Sequence, residues 1–190
     1  MGQYYHLAVL NDHKKNYPNK NKVNAYLYSH DFDNGMKLME FSWIGNEYVG
    51  VFEELINKEH GKFAGYPIIC AGDYADTENG TNYNVFGLCY EFGVRIKPKD
   101  APKPHHYRYI INEDRHLFFD TDKVKDDGRG WKINPLTLLI ADGNGRGGGD
   151  YHGINQGMVG AWRRNVVVTS DIKPNTDEYR EVFYNFKEIY

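Results

Sequence analysis

A chain of 190 residues with 41% hydrophobic and 26% charged side chains fits one globular domain and excludes a disordered chain. A net charge of −3 and a pI near 6.2, with basic residues scattered, disfavour a nucleic-acid partner, which calls for a basic stripe to displace counterions. Aromatic residues reach 15%, with 16 Tyr, so the core is expected to be Tyr-rich, with hydroxyls left over for hydrogen bonding.

In chain order, residues 2–10 (GQYYHLAVL) and 22–29 (KVNAYLYS) read as two strands, and the polar stretch between them reads as a loop. Within that stretch, the basic residues of 13–22 (HKKNYPNKNK) read as a solvated turn. Residues 36–44 (MKLMEFSWI) alternate imperfectly and predict a third strand, with Lys37, Phe41 and Trp43 on one face and Glu40 and Ser42 on the other. A helix is expected next, near 47–58. Asn46 is its N-cap, Glu47 complements the helix dipole, and Val49, Phe52, Leu55 and Ile56 share a face. Gly61 supplies a left-handed stop.

Residues 66–72 (YPIICAG) predict a buried strand and 84–92 either a short helix or a strand. The three prolines in 97–106 demand a loop. The segments flanking Glu113-Asp114-Arg115 predict a hairpin, 136–141 and 164–170 two more strands, and Tyr179, Val182, Phe183 and Phe186 a C-terminal helix. The whole is a single α+β domain, 1–190, on a largely antiparallel, Tyr-rich sheet. Cys70 and Cys89 form no framework, no apolar run approaches the ~18 residues of a membrane span, and MGQYYH lacks a signal-peptide core. A soluble, cytoplasmic protein is expected.

One stretch raises the functional question. ADGNGRGGGDYHG (141–153) holds five glycines in the seven positions 143–149 around Arg146. Successive amides in such a loop can converge on an anion as a nest, and a guanidinium adds a fork suited to phosphate or carboxylate. The same letters also describe a wide turn with a surface arginine, and Asp142 and Asp150 would repel an anion. Gly143-x-Gly145-x-x-Gly148 matches GxGxxG in letters, but the next residues, GDYHGINQG, are a poor start for the required helix. The P-loop pattern fails at Gly149-Asp150.

Two further clusters stand out. YSHDFDNG (28–35) offers His30 as a base and Asp31 and Asp33 as oxygen ligands, although Met36 and Ser42 break the EF-hand spacing. AGDYAD (71–76) sets Asp73 just after a buried strand. Near them, Lys37 and Trp43 supply a cation and an aromatic face suited to a base-and-phosphate ligand. No nucleophile elbow and no HExxH are present, and the sequence names neither cofactor nor metal.

MGQYY, SHDFDNGMKLMEFSWIGN, AGDYAD and ADGNGRGGGDYHG together resemble a family of uncharacterised proteins of bacteria and their phages. The resemblance implies a small soluble protein of that origin and an accessory role such as counteracting host defence, and it carries no catalytic residues over. The leading expectation is a binding protein for a small anion, a nucleotide or nucleotide-derived signal. Arg146 and the amides of Gly145, Gly147 and Gly148 would hold phosphate, Trp43 or a neighbouring Tyr would stack the base, and Lys37 would stand beside it. The alternative is a metal-assisted hydrolase or transferase on a phosphorylated or ribosylated substrate, using His30, Asp31 and Asp73. A third reading is a protein–protein inhibitor that presents tyrosines, as paratopes do.

Overall fold

The computed structural model describes residues 1–11 and 22–189, so the basic stretch 13–22 lies outside the described residues except for Lys22. Strand β1 (Tyr5–Leu10) is buried throughout and occupies the centre of a five-stranded sheet. It pairs antiparallel with β2 (Val23–Leu27) on one side and with β3 (Ile68–Gly72) on the other. Short parallel strands close both edges. β4 (Val94–Arg95) runs beside β2, and β7 (Ala141–Asp142) beside β3.

The two-residue period of a strand divides β1 between two cores. Tyr5, Leu7 and Val9 face the main core, while Ala8 and Leu10 face helix α3 (Val85–Phe92). Across the main core lies a second sheet, β5 (Tyr109–Asn112), β6 (Leu117–Asp120) and β9 (Val167–Ser170), with β10 (Arg180–Glu181) at its edge. Ile110, Phe119 and Val167 enter that core together with Tyr48, Val49 and Phe52 of α2 (Glu47–Leu55). A third pair, β8 (Gly153–Ile154) and β11 (Lys187–Glu188), is antiparallel. The domain is thus α+β with mostly antiparallel pairing. No helix among the described residues is long and apolar enough to cross a membrane.

Several expectations need correction. Residues 36–44 form no strand, because Leu38–Phe41 make the short helix α1. Glu40 Oε2 reaches back to the Lys37 amide at 2.9 Å, closing the first turn. Ser42 Oγ and Trp43 Nε1 donate to the Leu38 and Met39 carbonyls at 2.6 and 2.9 Å. The 136–141 run is helix α4 (Pro135–Leu139), capped by Asn134 Oδ1 on the Leu136 amide at 3.0 Å and started by Pro135. Only Ala141 and Asp142 extend into β7.

The C-terminal helix is absent. Val182, Tyr184 and Phe186 point into the core at a period of two, and the segment runs extended. Helix α2 ends at Leu55, and Gly61 keeps an ordinary negative φ. Its missing Cβ matters instead, since one would collide with the backbone of Asn57.

Candidate functional site

The glycine loop does gather amides around an anion, and the anion is its own Asp150. Gly145 N, Arg146 N and Gly147 N donate to Asp150 Oδ2 at 2.6, 2.9 and 3.0 Å. The Tyr5 hydroxyl donates to Oδ1 at 2.7 Å. The carboxylate is 3% exposed. Burial first, and then Asp150 itself, push the Tyr5 hydroxyl pKa far above its usual range. Gly148 N is spent on the Met1 carbonyl at 3.0 Å, and Gly148 O accepts from Gln3 N at 3.0 Å. The role expected of Gly145, Gly147 and Gly148 is therefore corrected. A buried carboxylate from the same loop fills the nest, so its amides are not free for an external phosphate.

The glycines are needed for two physical reasons. Gly143, Gly145 and Gly149 take φ of 93°, 92° and 84°, a region that L side chains rarely adopt. Gly147 has an ordinary φ but lies over Gln3, where an added Cβ would stand 2.5 Å from Gln3 Cβ. Gly147→Ala is expected to lower stability by about 1–3 kcal/mol through overpacking, read as a lower midpoint in denaturant. An unchanged midpoint would show that the loop lifts freely from Gln3.

Arg146 lies at the surface, its amide on Asp150 and its guanidinium on an exposed carboxylate. Nη1 and Nη2 hold Asp76 at 2.7 and 3.0 Å, and Nη1 also reaches the Tyr74 carbonyl at 2.9 Å. The guanidinium holds the Asp76 carboxyl below its usual pKa. Arg146 also lines a polar cavity of about 250 Å³ with Arg163 and Asp142, where Arg163 Nε lies 3.3 Å from Asp142 Oδ1. Each guanidinium there already has a carboxylate beside it, so the cavity offers an incoming anion no uncompensated charge.

The residues of the hydrolase reading are not brought together. Asp31 is locked bidentately to Arg95, Oδ2 to Nε at 2.7 Å and Oδ1 to Nη2 at 2.5 Å. His30 stacks on Tyr28 with ring centroids 5.3 Å apart. Asp73 lies beyond the end of β3, where its Oδ1 accepts the Tyr4 amide at 3.0 Å and burial raises its pKa. Among the described residues, no three His, Cys, Asp or Glu side chains stand close enough to hold a metal ion.

Trp43 has a different neighbourhood. It leans on Trp131, ring centroids 5.6 Å apart and planes tilted by 60°, and both line a cleft of about 610 Å³. Glu40, Gly45, Asn46, Asp127 and Arg129 also line its walls. One wall, 43–46, leads from α1 into α2, with Asn46 as the cap: its Oδ1 accepts the Val49 amide at 3.2 Å. The other is the turn 126–131, folded by two aspartates. Asp126 Oδ1 accepts from Gly128 N and Gly130 N, and Asp127 Oδ1 from Arg129 N and Trp131 N. Ile44 N donates to Lys132 O at 2.8 Å and Trp43 bridges to Ile133, tying the walls at their base.

Glu53 of α2, 3% exposed, ties that helix to residues 106, 107 and 134. Its Oε1 accepts Asn134 Nδ2 at 2.8 Å and lies 3.4 Å from His106 Nδ1, while Oε2 accepts the Tyr107 amide at 2.9 Å. Glu53, helped by the Gly45 carbonyl, raises the His106 pKa above its ordinary value. Lys37 joins the cleft to the glycine loop. Its stem lies over Gly2 and Gly149, and its ammonium is 3.5 Å from Glu40 Oε1.

Sequence reasoning found Trp43 and missed Trp131, Arg129, Asp127 and Glu53. The one local signal was the DDGRGW turn, where paired aspartates and glycines present an arginine and a tryptophan. No family model, curated protein or solved structure matches the chain.

Proposed function

We propose that this protein binds a small ligand carrying a flat aromatic ring, a nucleotide or nucleotide-derived signal, in the Trp43–Trp131 cleft. The supporting observation is the pair of indoles on one cleft of about 610 Å³, with Trp131 56% exposed. That volume is of ordinary ligand size, and an exposed indole in a wall is a stacking platform. Gly45, at φ 96° and with open space where a Cβ would stand, lets a ring approach the backbone. Arg129 lines the wall beside Trp131. Arg146 and Lys37 contribute from a distance, by fixing the glycine loop and α1.

Holding a signal without cleaving it is sequestration. With the bacterial or phage origin that the resemblance implies, the captured signal would be a host defence nucleotide.

Stacking contributes about 1–3 kcal/mol per base, so Trp131→Ala should weaken binding roughly ten- to hundred-fold while Arg146→Ala leaves it near parental. Calorimetry and indole fluorescence against a panel of mono-, di- and cyclic nucleotides test this. Parental affinity in both Trp43→Ala and Trp131→Ala would end the reading.

A further inference from the structure

We propose that Asn79 is a site of spontaneous modification, where the side-chain carboxamide is exchanged for a carboxylate through a succinimide. An asparagine followed by glycine is open to this chemistry, because no side chain on the next residue hinders its amide nitrogen. Three such pairs occur, Asn34-Gly35, Asn79-Gly80 and Asn144-Gly145, so the letters alone do not choose among them. The hydrogen bonds do.

The glycine nitrogen must reach the asparagine Cγ, so both groups must be free to turn. At 144–145 neither is. Asn144 Nδ2 donates to the Tyr151 carbonyl at 3.1 Å, its Oδ1 accepts the Tyr151 amide at 2.8 Å, and Gly145 N is held on Asp150 at 2.6 Å. At 34–35 the carboxamide is fixed at both ends. Asn34 Nδ2 donates to the Phe32 carbonyl at 2.7 Å, and its Oδ1 accepts Asn46 Nδ2 at 2.6 Å. Asn79 differs. It is exposed, and among the described residues neither its carboxamide nor the Gly80 amide has a hydrogen-bond partner. The pair crowns a turn closed by Thr81 N on the Glu78 carbonyl at 3.1 Å, with Gly80 at φ 77°. A solvated turn of this kind can flex without opening any packed contact.

In the reaction the Gly80 nitrogen attacks Asn79 Cγ and closes the succinimide. The carboxamide nitrogen leaves as ammonia, taking the proton that the Gly80 amide gives up. Water then opens the ring at one carbonyl or the other, yielding aspartate or isoaspartate, and nothing but water is consumed. The product lies beside Glu78, which is 8% exposed and bonds Lys22 Nζ at 2.9 Å and both terminal nitrogens of Arg164. Aspartate sets a like charge next to that clamp, and isoaspartate adds a methylene to the turn that aims it.

The test ages the full chain in warm, neutral buffer, folded in one sample and in denaturant in another, and reads the three pairs separately by peptide mass spectrometry. In the folded protein Asn79 is expected to convert about ten-fold or more faster than Asn34 or Asn144, which must first break their bonds. In denaturant the three rates should draw together. Folded-state conversion at Asn34 or Asn144 as fast as at Asn79 would overturn the proposal. So would a lead for Asn79 that persists unchanged in denaturant, since local sequence and not the hydrogen bonds would then set it.

Discussion

Asp150→Ala is expected to be among the most destabilising single substitutions in this domain, at about 3–5 kcal/mol. The change strands four donors at once: the Gly145, Arg146 and Gly147 amides and the Tyr5 hydroxyl, all now within 2.6–3.0 Å of the carboxylate. The Tyr5 hydroxyl and the carboxylate are buried, so water cannot replace Asp150 at Tyr5 without opening the loop, while the amides belong to a loop with an exposed outer side. Asp150→Asn should be milder, because one carboxamide oxygen can still serve the amides and the Tyr5 oxygen can accept from the new NH₂. Equilibrium denaturation of the two variants gives the ranking. An alanine variant as stable as the parent would mean that the loop amides find other partners and that the carboxylate is not the keystone of the loop.

A second large effect is expected from acid. His6 is fully buried in β1, with neither ring nitrogen hydrogen-bonded, and it stacks on Phe86 at 4.2 Å with Tyr26 and Tyr90 close by. Burial, with a smaller push from Arg95, holds its pKa down at about 3. The unfolded chain takes up this proton near the ordinary value of about 6.5 and the folded chain does not. The unfolded state therefore binds more protons between those two values. Stability is complete above about pH 6.5 and drains away as pH falls toward 3, by roughly 5 kcal/mol over the whole interval.

His106 works in the opposite sense. Its pKa is raised by Glu53, so it adds stability as pH falls through that value. The informative comparison is therefore between the parent and His6→Phe, which keeps the ring stack and removes the proton acceptor. The variant should resist acid between about pH 6.5 and 4.5, above the range where ordinary carboxylates titrate. Superimposable unfolding midpoints across that window would refute the assignment of the acid sensitivity to His6.

What could be read from the letters depended on whether an element's signal was local. Helix α2 was legible because Asn46, Glu47 and the Val49-Phe52-Leu55-Ile56 face carry cap and period within a dozen residues. The β5–β6 hairpin was legible from two apolar runs around Glu113-Asp114-Arg115. Helix α4 was misread because a continuous apolar run has no period to tell a buried helix from a buried strand; the Asn134-Pro135 start was the clue that should have decided it. The C-terminal segment failed differently. Tyr179, Val182, Phe183 and Phe186 fit a helical spacing, yet Phe183 is left largely exposed and the alternate set 182, 184, 186 packs inward.

The site divides in the same way. The glycine loop announced an anion nest, and the anion stood within the same thirteen letters, but only tertiary packing shows that Asp150 turns inward. Trp43 was visible as an aromatic face. That Trp131 meets it across 88 positions is a property of the two walls, which are tied together at Ile44–Lys132 and Trp43–Ile133, and no single-sequence pattern carries it.

The bond from Tyr5 to Asp150 also bears on how the molecule is made. Tyr5 leaves the ribosome 145 residues ahead of its partner, an interval of roughly 7–30 s at ordinary synthesis rates. For that time the middle of the larger sheet must wait with a hydroxyl unsatisfied and with Gly2 and Gln3 lacking the backbone of Gly148 beside them. A ribosome stalled before the glycine loop would hold a polypeptide whose central strand is unlatched, and such a nascent chain would be a target for proteases and chaperones.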